Sequence, residues 1–537
     1  MTLLIDRRSL ILTGTLGLGA LAIPGFALAQ TARGFTHSVA SGEPAADSVL
    51  LWTRYVGSDS GTTLKCEVSD TPDFSRIVAG GEQITGPWRD GTAKVTVTGL
   101  KPATWYHYRF VAPDGSMSPV GRTRTLPAEG ARSWRAAIFS CSNMGYGWFN
   151  AYAHAAARRD LDCWIHLGDY FYEYAPDHYP PANVAVPSRV PEPASETIHL
   201  ADYRLRFASY RSDPDLQRLH ATLPVIAQWD DHESANDSWE GGAENHSPGT
   251  EGDWSARRDA AMQAYREWMP VSEEPWSTYR IGDLATLFRT ETRLLARTRQ
   301  KSYAELLKSG DPARVLTAFR DGAWQDPAMT QLGSEQERWL DDAIRASVKR
   351  GTKWQVVAFG TNMGTIRVPA AARGWLNPDN ARARGYVEAG IAAGEAGLPN
   401  NLDNWGGYPA ARARFLKGVE ASGADLVVIT GDSHNAWAFD LAHDGRAAGV
   451  EFGGHSVTSP GYESGLAADP KLVARDLAAF NPELKWCDTS RRGYMAMTIA
   501  ADRVTNDWVF VDTIKRRNPA ATVGHGVTVM KGRRVMT

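Results

Sequence analysis

The alternation of apolar and polar residues changes its period once along the chain. Over roughly 35–127, short runs at 48–54, 64–68, 93–98 and 105–110 alternate residue by residue and are separated by turn residues such as Pro113-Asp114-Gly115. A period of two sends successive side chains to opposite faces, which predicts a small antiparallel β-sandwich over 33–128. No cluster of acids, bases or metal ligands falls inside it, so its expected task is to pack against, or shape the entrance of, the part that follows. After Arg132 the pattern becomes strands alternating with helices. Apolar runs at 135–140, 162–167, 225–229, 354–359 and 425–430 predict buried strands, and 148–159 and 334–350 predict helices, the second with Ser334 and Glu337 in capping-box positions. Such alternation predicts a layered α/β domain over 132–515, leaving 516–537 as a C-terminal tail. The proline-rich stretch 176–196 is a long irregular excursion of the kind used for lids or left disordered.

The first 29 residues follow a different logic. Arg7-Arg8 form a basic head, 10–22 are apolar and rich in glycine, and Ala27-Leu28-Ala29 is a small-x-small cleavage site. This pattern predicts a removable export signal of the twin-arginine kind, too short and too interrupted at Pro24 for a membrane anchor. It implies the translocation machinery as a partner of the precursor and a periplasmic or secreted mature protein with no transmembrane segment.

Composition narrows the function classes. The chain has 537 residues, 43% of them hydrophobic, with 58 Lys+Arg against 61 Asp+Glu, a net charge of -3 and 4 Cys. This is too apolar for disorder and too poor in cysteine for a disulfide scaffold, and it offers no overall basic field for nonspecific nucleic-acid binding. Cys66 and Cys487 could pair in an oxidising compartment, although sequence does not settle pairing, and Cys163 lies within a strand.

Four polar clusters follow directly on expected strands: Ser140-Cys141-Ser142-Asn143, the run from Gly168 through Asp169 and Tyr172 to Glu173, Asp230-Asp231-His232-Glu233, and Gly431-Asp432-Ser433-His434-Asn435. Ligand crevices in layered α/β sheets open at the carboxyl ends of strands. Thiol, carboxylate, phenol and imidazole on one rim make a metal centre. Phenolate and thiolate suit ferric iron, whereas carboxylates suit a hard second ion, and a carboxylate such as Asp169 can bridge the two. Paired ions orient a phosphate ester and generate hydroxide near neutral pH, which predicts phosphate-ester hydrolysis.

These clusters, with 35–44, 50–54, 203–211 and the signal, resemble the alkaline phosphatase D family, a branch of the calcineurin-like metallophosphatases. The resemblance implies a four-layer α/β/β/α domain preceded by a fibronectin type III-like sandwich. It also implies an Fe3+/Ca2+ centre with Cys141, Asp169, Tyr172, Asp231, Asn236, Asp432 and His434 as metal ligands. Of these, Asp169 would bridge, Cys141, Tyr172 and His434 would face iron, and Asp231 and Asp432 the second ion. His232, Asp231 and Asp169 are the catalytic candidates, with His232 beside the leaving group. Asn362, standing where the wider superfamily carries a histidine, is a further candidate. The implied activity is hydrolysis of phosphate monoesters and/or diesters. A phospholipase D-like or other dedicated phosphodiesterase on the same scaffold fits the motifs equally well. A serine esterase does not, for want of a Gly-x-Ser-x-Gly element, and a noncatalytic surface-binding protein has only the sandwich in its favour.

Overall fold

The structure, a computed structural model, describes residues 33–57, 60–376 and 381–537, and the export signal expected over 1–29 lies outside them. Seven strands come first: β1 (Gly34–Gly42), β2 (Ser48–Val56), β3 (Thr62–Ser69), β4 (Ile77–Thr85), β5 (Thr92–Thr98), β6 (Trp105–Val111) and β7 (Gly121–Arg124). Then follow β8 (Ser133–Phe139), β9 (Cys163–His166), β10 (Val225–Ala227), β11 (Ser277–Ile281), β12 (Ala285–Arg289), β13 (Trp354–Phe359) and β14 (Leu426–Thr430). The last are β15 (Ala436–His443), β16 (Arg446–Gly453), β17 (Leu484–Asp488), β18 (Gly493–Ala500), β19 (Arg503–Val511) and β20 (Ala521–Met530).

Two large sheets stack face to face. One runs β20-β19-β18-β8-β9-β10-β1-β2-β5 and the other β11-β12-β13-β14-β16-β15-β17. Their facing sides are apolar: Ile138, Ile165, Ile226 and Met495 from the first meet Leu287, Val356, Ile429 and Phe452 from the second. Strands buried on both faces read as continuous hydrophobic runs, which is why 354–359 and 425–430 stand out in the sequence. Helices cover the outer faces. Asn150–Ala157, Leu200–Arg211, Pro214–Thr222 and Trp254–Trp268 close the nine-stranded sheet, while Gly333–Lys349, Pro409–Ser422 and Pro470–Phe480 close the seven-stranded one. The result is the four-layer α/β/β/α arrangement. In the middle of each sheet the strands are parallel, β8-β9-β10 in one and β12-β13-β14-β16 in the other. Parallel neighbours end on the same edge, which gathers their following loops.

One expectation from the sequence is extended here and one changes. The sandwich is real, with β4-β3-β6-β7 packed on β1, β2 and β5 through Val39, Leu51, Val97, Leu64, Val68 and Phe110. It is not a free-standing unit, because β1 pairs in parallel with β10 at Gly42 and Val225 and so extends the nine-stranded sheet. Gly42 is required there, since a Cβ would run into the carbonyl of Pro270. On the other face of β2, Trp52 donates its indole N–H to Glu267 O at 2.8 Å. Residues 516–537 are not a tail. They hold β20, paired antiparallel along β19, and Met536 N then donates to Asp440 of the other sheet at 2.9 Å. A period-two pattern reports which face is buried but not which strand lies alongside.

Smaller corrections have local causes. The helix Gly333–Lys349 is capped by Thr330, whose hydroxyl accepts from Gly333 N at 2.9 Å and donates to Glu337 at 2.7 Å, in place of Ser334. All four cysteines are free and buried, with Cys66 in the sandwich core and Cys487 in the outer core of the seven-stranded sheet. The excursion 176–196 carries neither strand nor helix but is tied down by hydrogen bonds described below. No described helix is long and apolar enough to cross a membrane.

Candidate metal centre

The loops that leave β8, β9, β10 and β14 converge on one edge, and their backbone is unusual. Cys141 (φ 60°), Asp169 (φ 55°), Asp432 (φ 62°) and His434 (φ 60°) all lie in the left-handed region. Each such residue costs about 1–2 kcal/mol and persists only where its surroundings overdetermine it, which is typical of functional sites. The surroundings here are specific. Glu233 accepts main-chain N–H groups from Asp169 (3.0 Å), Tyr170 (2.6 Å) and Asp230 (2.8 Å), pinning the β9 and β10 loops together. Gly168 allows that approach, because a Cβ would collide with Asp230.

Three overlapping groups of potential ligand atoms result, each within 4.8 Å: Cys141 with Asp169 and His434, Asp169 with Asp231 and His232, and Asp169 with Asp230, Asp231 and Asp432. Asp169 belongs to all three. The Tyr172 hydroxyl lies 3.3 Å from Asp169 Oδ2 and 3.0 Å from His434 Nε2, and it accepts from Ser459 Oγ at 2.7 Å. His434 Nδ1 bonds the carbonyl of Pro460 at 2.9 Å, so Nδ1 carries the proton and Nε2 turns its lone pair to the cluster. Burial lowers its pKa to about 3, keeping the ring neutral and able to ligate.

The electrostatics call for cations. Burial, followed by the carboxylates of Asp231, Asp230 and Glu233, raises the Asp169 carboxyl well above the usual range against the pull of His232. Burial and Asp230 do the same to Asp432, and burial raises Asp230 to about 6 and Asp237 to about 8. Arg293 compensates only in part. It bonds Asp230 (2.6 and 3.2 Å) and Asp403 (2.9 and 2.8 Å) but stands 3.9 Å from both Asp231 and Asp432. Asp169 Oδ1 is buried with no hydrogen-bond partner. An orphaned carboxylate oxygen amid like charges fits a site built for metal ions, because a bound cation supplies the missing partner.

His232 is held differently. Its Nδ1 meets Glu173 Oε2 at 2.7 Å, and its ring lies against Tyr172 with centroids 4.1 Å apart. Burial works against its charge, yet Asp231, Glu173 and Asp169 together push its pKa well above the ordinary value. Glu173 also accepts from Asn236 N at 2.7 Å and Asn245 Nδ2 at 2.9 Å.

Cys141, Asp169, Tyr172, Asp231, His232, Asp432 and His434 thus share one edge. Asn236 is placed by its main chain, and its side-chain amide donates to Glu244 at 3.2 Å. Asn362 points elsewhere, donating to Thr430 Oγ1 (2.9 Å) and Glu451 (2.8 Å) inside the seven-stranded sheet. Sequence reasoning passed over Glu173, Arg293, Asp403, Ser459 and the Pro460 carbonyl as members of the site. Of these only Glu173, next to Tyr172 and inside a strand-end cluster, had a local signal, and it was given no role of its own.

Stacked mixed sheets flanked by helices, with acid-rich loops at the carboxyl ends of the parallel strands, have the layout of the metallophosphatase fold. Comparison with known proteins agrees. The family model described as PhoD-like phosphatase matches residues 136–508, and that of the PhoD-like phosphatase N-terminal domain matches 21–127. Alkaline phosphatase D of Bacillus subtilis (strain 168) is 32% identical over 504 residues, 88% of this chain and 77% of the relative. A solved PhoD structure superposes with a TM-score of 0.78 at 29% identity, covering 96% of this chain and 93% of its own. A purple acid phosphatase from yellow lupin (Lupinus luteus) seeds shares the fold, with a TM-score of 0.57 at 12% identity over 94% of this chain and 75% of its own. The chain belongs to the PhoD-like phosphatase family and is an alkaline phosphatase-type phosphoesterase.

Proposed function

We propose that the chain is an exported phosphatase that hydrolyses phosphate monoesters and/or diesters at an Fe3+/Ca2+ centre. Cys141, Tyr172 and His434 would hold iron, Asp231, Asp432 and Asn236 would hold calcium, and Asp169 would serve both. The observation that carries this reading is the position of Asp169, common to all three ligand groups and left with a buried oxygen unpartnered. Bound ions supply Lewis-acid chemistry, offsetting charge on the ester and acidifying water. The chain's own residues do the rest. Glu173 fixes the His232 ring through Nδ1, leaving Nε2 to hand its proton to the departing alkoxide. Arg293 fixes Asp230 behind the carboxylates and so limits their spread.

One observation favours the diesterase alternative. Beside the site, reaching Tyr179 and Pro460, lies a cavity of about 1180 Å³ walled by Tyr146, Trp375, Tyr386, Tyr462 and Arg492, far larger than a phosphate needs. A phospholipase D-like or other dedicated diesterase would place its second alcohol there. Export by the twin-arginine route to the periplasm or beyond completes the reading, and replacing Arg7-Arg8 by Lys-Lys should trap the precursor inside the cell.

The test is Asp169→Ala in purified, metal-analysed protein, with rates on an aryl monoester, its diester and a phospholipid. Loss of both metal and hydrolysis is expected. Undiminished turnover with full metal content overturns the assignment, and the ratio of rates separates the two substrate readings.

A further inference from the structure

The helix Leu200–Arg211 makes no hydrogen bond to a candidate ligand atom among the described residues, yet one of its faces holds three of the loops that carry the candidate ligands. Tyr203, Arg206 and Tyr210 are spaced i, i+3 and i+7, which puts them on one stripe, and all three are buried. Tyr203 donates its hydroxyl to Ser234 O at 2.5 Å, two residues beyond His232, and receives Arg257 Nε at 3.1 Å. The Tyr210 hydroxyl accepts the main-chain N–H of Met144 at 3.1 Å, in the loop that begins with Cys141.

Arg206 does most. It has no carboxylate partner in its hydrogen bonds, and its five N–H groups meet five main-chain carbonyls. Nη1 reaches Tyr172 O and Tyr174 O (3.2 Å), Nε reaches Glu192 O (2.9 Å), and Nη2 reaches Pro193 O and Ser195 O (both 3.0 Å). Two of these carbonyls flank Glu173 and three close the far end of the excursion 176–196. A buried guanidinium whose whole donor fork is spent on backbone does not bind substrate. It fastens both ends of the excursion to the segment that carries Tyr172 and Glu173, while Tyr179 of the excursion packs on Tyr172 with centroids 5.3 Å apart.

We propose that this helix is the positioning frame of the metal centre, with Arg206 as its principal positioning residue and Tyr203 and Tyr210 as its subsidiary ones. The proposal rests on the assigned site only in that these loops carry its side chains. Lysine cannot replace Arg206, because a point charge with three donors cannot span carbonyls on two chain segments as the planar fork does.

The experiment compares Arg206→Lys, Tyr203→Phe and Tyr210→Phe in the mature chain by amide hydrogen exchange in the presence of chelator, and by kcat and KM on an aryl phosphate after metal loading. Each variant should raise exchange about tenfold in its own loop: 172–197 for Arg206, 231–237 for Tyr203 and 141–147 for Tyr210. Strands β3 and β6 should stay unchanged. The kcat of Arg206→Lys should fall ~10–100-fold, the range for partners that orient a metal's ligands, with KM altered less than about threefold. A rise in exchange across the whole chain, no local rise, or retention of kcat within twofold overturns the proposal. The two phenylalanine variants are nearly isosteric, so they keep the test alive should Arg206→Lys not fold. Exchange is read without metal, so a failure of the assigned chemistry would leave this result standing on its own.

Discussion

Cys66 and Cys141 are both buried thiols, and the contrast between their surroundings separates the two halves of the molecule. Cys66 sits among Leu64, Val68 and Phe110 in the sandwich, where burial is the chief cause that pushes its pKa up. Cys141 is equally buried, but its backbone is left-handed and Asp169 adds to the upward push. In the sandwich, burial removes apolar surface from water and yields stability at about 25 cal/mol per Å². In the strand-end loops, the same exclusion of water falls on carboxylates and costs stability until a cation arrives. Burial is therefore not a functional signal by itself; what shares the dry space decides.

The sharpest way to break that contrast is Asp169→Asn. Hydrolysis and metal binding should collapse, while the chelated protein should gain about 1–2 kcal/mol of stability and melt higher, since the cost of burying this carboxyl among like groups is removed. Thermal denaturation in chelator alongside activity assays would show it, and a lower melting temperature would contradict the picture of stored repulsion. Next in size is His232→Gln, for which kcat should drop ~10²–10⁴-fold with metal content retained, as expected for a general acid. Glu173→Gln should follow at ~10–100-fold, because the ring then loses its anchor and its charge partner. On the sandwich side, Leu64→Ala should lower stability by about 2–5 kcal/mol yet leave kcat unchanged, measured by urea unfolding and steady-state kinetics. The smallest effect concerns pH. Burial lowers His37 and His455 to about 3, so both are neutral when folded, and their contribution is present above about pH 6.5 and lost as pH falls towards 3. Melting temperatures taken from pH 7 to pH 4 should decline, less steeply in His455→Phe. Visible absorbance adds a separate check: phenolate or thiolate on ferric iron gives colour, which chelation should remove.

How much could be read from the chain varied with how local each signal was. The run 354–359 matches β13 residue for residue because that strand is apolar on both faces and bounded by polar turns. Asp169, Tyr172 and His434 drew attention because each follows a strand end. The link from His232 to Glu173 joins residues 59 apart, and that from Arg293 to Asp403 joins residues 110 apart. No periodicity reports such pairs. The same limit hid the union of β1 with β10 and the pairing of β20.

The amino-acid order alone determined the change of period, the apolar central strands and the chemical types offered at their ends, because these follow from side-chain alternation and turn chemistry over a few residues. Only the tertiary structure decided that the sandwich shares a sheet with the layers behind the site, that Asp169 stands common to three groups of potential ligand atoms, and that one arginine clasps the excursion beside Tyr172. Those outcomes depend on which distant segments meet as water is excluded. The free energy of that meeting belongs to the assembled layers and to no single stretch of the chain.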